Sequence, residues 1–120
     1  MSKRILVVED QEDNRRILRD LLSSAGFETI EAENGELAIA AAQQHPDLIL
    51  MDIQLPVLDG YEATRRIKSD PTLRDIPVIV VTSYALSGDE EKAHAAGCDA
   101  YVTKPYSPRQ LLAKIREFLP

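Results

Sequence analysis

A single cysteine in 120 residues has no partner inside the chain, which excludes an internal disulfide framework and every C-x-x-C metal or redox pattern. Cys98 therefore reads as a small, inert packing residue, in keeping with a reducing cytosol. Long apolar runs are also missing. The one that follows Lys3 and Arg4 extends only from Ile5 to Val8 before Glu9 and Asp10, too short for the core of a signal peptide. None approaches the roughly 20 residues that cross a bilayer, so the expectation is a soluble, cytoplasmic protein with no membrane partner. Basic clusters are absent too: with a formal net charge of -6 and scattered lysines and arginines, the chain lacks the phosphate-neutralising surface that nucleic-acid binding requires. Neither G-x-x-x-x-G-K-[ST] nor G-x-G-x-x-G occurs, which leaves nucleotide binding unsupported.

What the chain does contain is short β-branched runs. Ile5-Leu6-Val7-Val8, Leu48-Ile49-Leu50-Met51 and Val78-Ile79-Val80-Val81 are continuously apolar, and weaker runs lie at 28–32 and 100–103. Unbroken rather than alternating apolarity predicts strands buried on both faces. Helical periodicity fills the gaps. Ile17, Leu18, Leu21, Leu22 and Ala25 share one face ahead of the stop signal Gly26, and Leu111, Leu112, Ile115, Phe118 and Leu119 share another. Capping boxes are expected at Asp59 with Glu62, Ser87 with Glu90, and Ser107 with Gln110, the last with Pro108 at the favoured first helical position. About five strand–helix repeats imply an α/β fold, a parallel sheet covered by helices on both faces. At 120 residues one domain, 1–120, is expected, with no room for an output domain.

In such folds ligands bind beyond the carboxyl ends of the strands. The strong strands end in Glu9-Asp10, Asp52 and Thr82-Ser83, and the last weak one in Lys104-Pro105. Each alone has an ordinary reading: Glu9 and Asp10 could open a helix, Thr82 could be a strand residue, Lys104 a solvated charge. A parallel sheet, however, gathers them at one edge. It also gives a setting to the carboxylate of Asp52, which interrupts the apolar LILMDIQLP stretch and would be costly there without a partner. Three crowded carboxylates need a counter-charge. All-oxygen ligation with no His or Cys at these strand ends suits Mg²⁺ rather than zinc. Lys104 and Thr82 add an ammonium and a hydroxyl, so a phosphoryl group could be attached and held there. His45 and His94 read as surface residues.

Ile5 to Asp10, Met51-Asp52-Ile53-Gln54-Leu55-Pro56 with Asp59-Gly60, Val81-Thr82-Ser83, Ala96 to Tyr101 and Lys104-Pro105 together resemble the receiver domain of two-component response regulators, over essentially the whole chain. The likeness is to stand-alone single-domain regulators, including the cell-division type; the alternative is a receiver module of a hybrid kinase or a phosphorelay intermediate that passes its phosphoryl group to a histidine phosphotransfer protein. The resemblance implies a doubly wound, five-stranded flavodoxin-like sheet of order 2-1-3-4-5. It implies Asp52 as phosphoacceptor, Mg²⁺ ligation by Asp10, Asp52, Glu9 and the backbone carbonyl of Gln54, and contacts from Thr82 and Lys104 to the phosphoryl oxygens. Glu9 stands where many relatives have Asp. A cis peptide is implied at Lys104-Pro105.

By the same resemblance, Asp52 would attack a phosphohistidine on a sensor histidine kinase or histidine phosphotransfer protein, and water would later reset the switch. The protein would catalyse only its own phosphorylation and slow dephosphorylation, so it is not expected to be an enzyme in the ordinary sense. Gln54 and Tyr84 would flank the path of the attacking water, and neither carries an acid or base. Thr82 and Tyr101 would form the switch that alters a protein-binding face for a downstream target, with Tyr84, Leu86, Ala93 and Tyr106 at its surface. Two rivals use similar parts. A haloacid-dehalogenase-like phosphatase wants a second Asp where Gln54 stands, and a degenerate docking scaffold would have lost the acceptor, an acid or the lysine, all of which are present.

Overall fold

The computed structural model describes residues 2–82 and 89–120. Strand and helix alternate through β1 (Arg4–Val8), α1 (Glu12–Ser24), β2 (Glu28–Ala32), α2 (Gly35–Ala42), β3 (Leu48–Asp52), α3 (Gly60–Ser69), β4 (Val78–Thr82), α4 (Asp89–Ala95), β5 (Ala100–Thr103) and α5 (Pro108–Phe118). The strands form one parallel sheet in the order β2-β1-β3-β4-β5, as the resemblance implied. The three continuously apolar runs are its three interior strands. All five residues of β3 and of β4 are buried, whereas β2 and β5, with their mixed composition, form the edges.

Alternate strand residues feed two cores. Leu6, Ile49, Met51, Val78 and Val80 pack under α2, α3 and α4, whose contributions include Ala38, Ala63, Ile67 and Ala93. Ile5, Val7, Leu48, Leu50, Ile79 and Val81 pack under α1 and α5 with Leu22, Leu111 and Ile115. Fully burying each large aliphatic side chain contributes on the order of 1.5–3 kcal/mol, so the doubly wound arrangement follows from strands apolar on both sides.

Helix starts follow the expected signals where they are described. The Asp59 carboxylate accepts from Glu62 N at 2.9 Å, the cap half of the expected box, while the Glu62 carboxylate pairs with Arg65 and Arg66; Ser107 and Gln110 exchange both hydrogen bonds of a capping box, at 3.1 and 3.0 Å. The box at Ser87 lies outside the described residues. The second helix has a cap the sequence reading did not mark: Asn34 accepts from Leu37 N at 2.8 Å. Gly26, with φ 93°, follows α1 as the left-handed residue that ends a helix at no steric cost, and Lys104-Pro105 is cis.

Two expectations need correction. Ala93, assigned to an exposed signalling face, is completely buried; its methyl is small enough for α4 to lie directly on the sheet. Ile17, placed with the core-facing stripe of α1, is 65% exposed, because the stripe is wider than the part of the helix that reaches the sheet. Leu22 is the one fully covered member of that face.

The start of β4 is fastened from outside the sheet. Lys68 Nζ donates to Arg74 O at 3.0 Å and Ile76 O at 2.7 Å and pairs with Asp99 at 2.7 Å, while Asp99 accepts from Val78 N at 2.8 Å. At the other end of the sheet, glycine is demanded by close approach. A Cβ on Gly60 would stand 2.0 Å from the carbonyl oxygen of Asp52, and one on Gly35 2.1 Å from that of Leu58. Both helices thus begin directly against the segment that carries Asp52. Gly60→Ala is expected to lower unfolding stability by about 2–3 kcal/mol, despite alanine's better helix propensity, and Asp59→Ala by about 1 kcal/mol through loss of the cap. Urea denaturation of the two variants beside wild type checks both the size and the order.

Candidate functional site

Sheet register brings the scattered polar residues together. Val8 pairs with Met51 and Asp52 with Val81, so Glu9 comes level with Asp52 and Thr82 one residue beyond it. The ladder between β4 and β5 continues past Thr82↔Thr103 through Lys104 N, which donates to Thr82 O at 2.7 Å. Glu9 continues the alternation of Ile5 and Val7, and Asp52 that of Leu48 and Leu50, so both carboxylates belong to the α1/α5 side. Thr82 and Tyr101 belong by the same alternation to the α2–α4 side, and Tyr101 packs half-buried against that core.

Glu9, Asp10 and Asp52 each place a carboxylate oxygen within 4.8 Å of the others. Glu9 is 3% exposed and Asp52 9%. Lys104 Nζ stands 3.5 Å from Glu9 Oε1 and 3.6 Å from Asp52 Oδ2, and Asp52 Oδ1 accepts from Ile53 N at 2.8 Å. Glu9 is held on three sides: Gln11 N donates to Oε2 at 3.0 Å, Asn14 Nδ2 to Oε1 at 3.4 Å, and Arg15 Nη1 to its backbone carbonyl at 2.8 Å. It does not open a helix, since α1 starts at Glu12. Asn14 and Arg15 were missed at the sequence level; their only signal was a position one helical turn after the acidic pair.

Burial is the main cause that pushes the Glu9 carboxyl above its usual 4.5, with the Asp10 hydrogen bond and the charge of Asp52 adding to it and Gln11 N–H and Lys104 opposing. One ammonium beside three carboxylates leaves an excess of negative charge, and the donors are all oxygen. That arrangement fits a hard divalent cation. Gln54 is exposed in the loop after β3. Tyr106 is half-buried in the wall of a cavity of about 400 Å³ that runs between α1 and α5, with Ile17, Leu21 and Leu111 on its sides and Asp52 and Lys104 at its polar end. His45 and His94 are exposed and outside the cluster, and Cys98 is buried, as expected. Ser83, Tyr84 and Leu86 lie outside the described residues.

Comparison with known proteins agrees with this geometry. The response regulator receiver domain model matches residues 5–116. The chain belongs to that family. This receiver domain is 48% identical over 120 residues to the polar-differentiation response regulator DivK of Brucella anthropi, covering 99% of this chain and 98% of that one, and 47% identical to DivK of Brucella ovis over the same shares. Among solved structures it is similar to the receiver domain of the sensor histidine kinase PA1611 from Pseudomonas aeruginosa, a structure with a magnesium ion coordinated in its active site cleft (37% identity, TM-score 0.92, 99% and 98% covered). It is also similar to the phosphorylated cyanobacterial phytochrome response regulator RcpA (31% identity, TM-score 0.84, 98% and 91% covered). The receiver domain is a DivK-like switch of two-component signalling rather than a conventional enzyme, and its higher identity to DivK than to the sensor-kinase receiver does not favour the hybrid-kinase alternative.

Adding Mg²⁺ to this receiver domain is expected to raise its melting temperature in proportion to ln(1 + [Mg²⁺]/Kd). At a hundredfold excess over Kd that is about 2.7 kcal/mol, or on the order of 10 °C. The pH dependence has a definite sign. Because the folded Glu9 pKa is raised, its contribution to stability without metal is fully present below about 4.5 and is lost as pH rises through the folded value. Calorimetry in chelator should therefore show stability falling over that interval in wild type more than in Glu9→Gln, and the gain from Mg²⁺ should be larger at pH 7 than at pH 4. An Asp10→Asn variant with unchanged Mg²⁺ affinity would place the cation elsewhere.

Proposed function

We propose that residues 1–120 act as one phosphorylation-activated receiver domain in which Asp52 is the phosphoacceptor. The observation that carries the reading is the position of Lys104 Nζ, 3.5–3.6 Å from both Glu9 and Asp52 inside the acidic cluster. An ammonium so placed neutralises charge where a phosphoryl group on Asp52 would add it. Asp52 Oδ2, the oxygen that faces Lys104, attacks the phosphorus of a phosphohistidine on a sensor kinase or histidine phosphotransfer protein; the new P–O bond forms as the P–N bond breaks and the imidazole leaves. Lys104 and Thr82 hold the phosphoryl oxygens, and the Ile53 N–H keeps the acceptor carboxylate oriented.

Glu9, Asp10, Asp52 and the backbone carbonyl of Gln54 are the groups that would hold Mg²⁺. The ion, when bound, supplies positive charge against the developing charge of a loose transition state. Water later cleaves the acyl phosphate, slowly, since Gln54 offers no acid or base to activate it. The output is a change of shape read by a downstream protein: Thr82 and Tyr101, on one side of the sheet and on adjacent strands, are the switch, and Tyr106 and Tyr101 contribute to the face it alters. The lone buried thiol of Cys98 supports action in the cytoplasm.

Asp52→Asn is expected to abolish acid-labile, hydroxylamine-sensitive labelling by acetyl phosphate and by a phosphorylated kinase while the circular dichroism spectrum stays that of wild type; full labelling of the variant would sink the assignment. Tyr101→Ala is expected to accept phosphate at Asp52 as wild type does yet to lose most of the phosphorylation-dependent gain in partner affinity. Titration calorimetry with and without phosphorylation separates that outcome from simple core packing, which would leave the gain intact.

A further inference from the structure

We propose that the cavity between α1 and α5 is a subsite for the hydrocarbon chain of a small phosphodonor, so that Asp52 accepts from acyl phosphates with an aliphatic chain in preference to acetyl phosphate. The inference rests on Asp52 being the acceptor. The cavity is continuous with that residue: Asp52 and Lys104 belong to its lining together with Ile17, Leu21, Tyr106 and Leu111. At about 400 Å³ it is of the size that holds small ligands. Tyr106 stands where the ionic and apolar parts meet, since burial holds its phenol above the usual 10.0 and the charges of Glu9 and Asp52 add to that.

Polarity along the cavity selects the ligand. At one end Lys104 Nζ is 3.6 Å from Asp52 Oδ2 and offers its charge to a phosphoryl group. Along α1 the lining then runs from Asn14, beside Glu9, through Ile17 and Leu18 to Leu21, a span of roughly 10 Å. Past Asn14 that wall is aliphatic, and α5 faces it with Pro108 and Leu111. A ligand that matches both parts has an anionic phosphoryl group at one end and uncharged hydrocarbon at the other. Inorganic phosphate leaves the apolar part unfilled, and a nucleotide sets polar groups against it without partners.

An acyl phosphate has this form, and its chemistry suits the acceptor. The bond between Asp52 Oδ2 and phosphorus forms as the P–O bond to the acyl group breaks, and the fatty carboxylate departs with the electron pair; no proton has to move. By the alternation of β3, Asp52 faces α1 and α5, so a group that leaves in line, on the side of phosphorus away from Oδ2, departs toward those helices and not into the sheet. The methyl of acetyl phosphate is too short to leave the polar end. A longer chain passes Ile17 and Tyr106 and loses its contact with water, which opposes the repulsion that an anion meets at the acidic cluster.

Initial rates of Asp52 labelling in Mg²⁺ with acetyl, butyryl and hexanoyl phosphate test the inference. A methylene fully withdrawn from water is worth about fourfold in a rate or equilibrium constant. Ile17, on the cavity wall, is 65% exposed, so the cavity is open along one side and about twofold per methylene is expected. Wild-type kcat/KM should therefore be about fourfold higher with butyryl phosphate and about fifteenfold higher with hexanoyl phosphate than with acetyl phosphate, mostly through KM. Ile17→Ser, a change at an exposed position that the fold tolerates, should reduce the advantage of both longer donors about threefold. Leu21→Phe, which fills the far end, should bring hexanoyl phosphate down to the level of butyryl phosphate, whose chain stops short of it. Equal kcat/KM for the three donors in wild type overturns the inference, as does a chain-length preference that both variants retain in full, because the chain would then bind elsewhere. Wild-type protein that none of the three donors labels overturns the acceptor reading itself, a failure distinct from either of those.

Discussion

Three carboxylates crowded at one edge of a sheet repel one another, and the surrounding architecture is arranged so that they cannot move apart. Two unit charges 4 Å apart at an effective dielectric of 20 interact by about 4 kcal/mol, a sizeable part of the roughly 5–15 kcal/mol that holds a domain of this size together. The opposing forces are local and specific. Gln11 N–H, Asn14 and Arg15 hold Glu9 in place. Ile53 N–H fixes Asp52. The Lys104 N–H to Thr82 carbonyl bond carries the ammonium to the cluster from the far edge of the sheet. Strands buried on both faces make that edge rigid, and Gly60 lets α3 close on the back of Asp52. Charge repulsion is retained in the folded state as affinity for a cation, and the apolar sheet is what retains it.

Much of this was legible in the sequence because it is written in short-range patterns. Continuous Val/Ile/Leu runs mark the interior strands, and parallel topology then places strand-end residues together whatever their separation in the chain, which is why Glu9, Asp52, Thr82 and Lys104 could be grouped without coordinates. What escaped the sequence reading depends on which face of a helix touches what. Ala93 carries no signal that separates a covered alanine from an exposed one, and Ile17 satisfies the helical period although the sheet does not reach it. The cap at Asn34 was missed because α2 is short and rich in alanine, so no apolar stripe pointed to its start. Asn14 and Arg15 support Glu9 by reaching back from the first turns of α1, a contact that depends on the exit angle of the chain after β1.

The alternation of the strands divides the site's proposed tasks between two sides of one sheet. Glu9 and Asp52 face α1 and α5 along with the cavity, so the side on which chemistry is proposed stays open to an incoming donor. Thr82 and Tyr101 face α2, α3 and α4, so the proposed readout is on the opposite side, over a packed core. A strand is one residue thick, and Thr82 stands one residue beyond the level of Asp52 on the adjacent strand. A hydroxyl that bends toward a phosphoryl group on one side withdraws from the other by the same motion. In a core packed without slack, that small withdrawal leaves room that only a neighbouring side chain can fill. Tyr101, half-buried on the next strand and paired with Val80, is the large side chain there, so the proposed switch would report charge added on the α1/α5 side on the α4 side without any movement of the sheet.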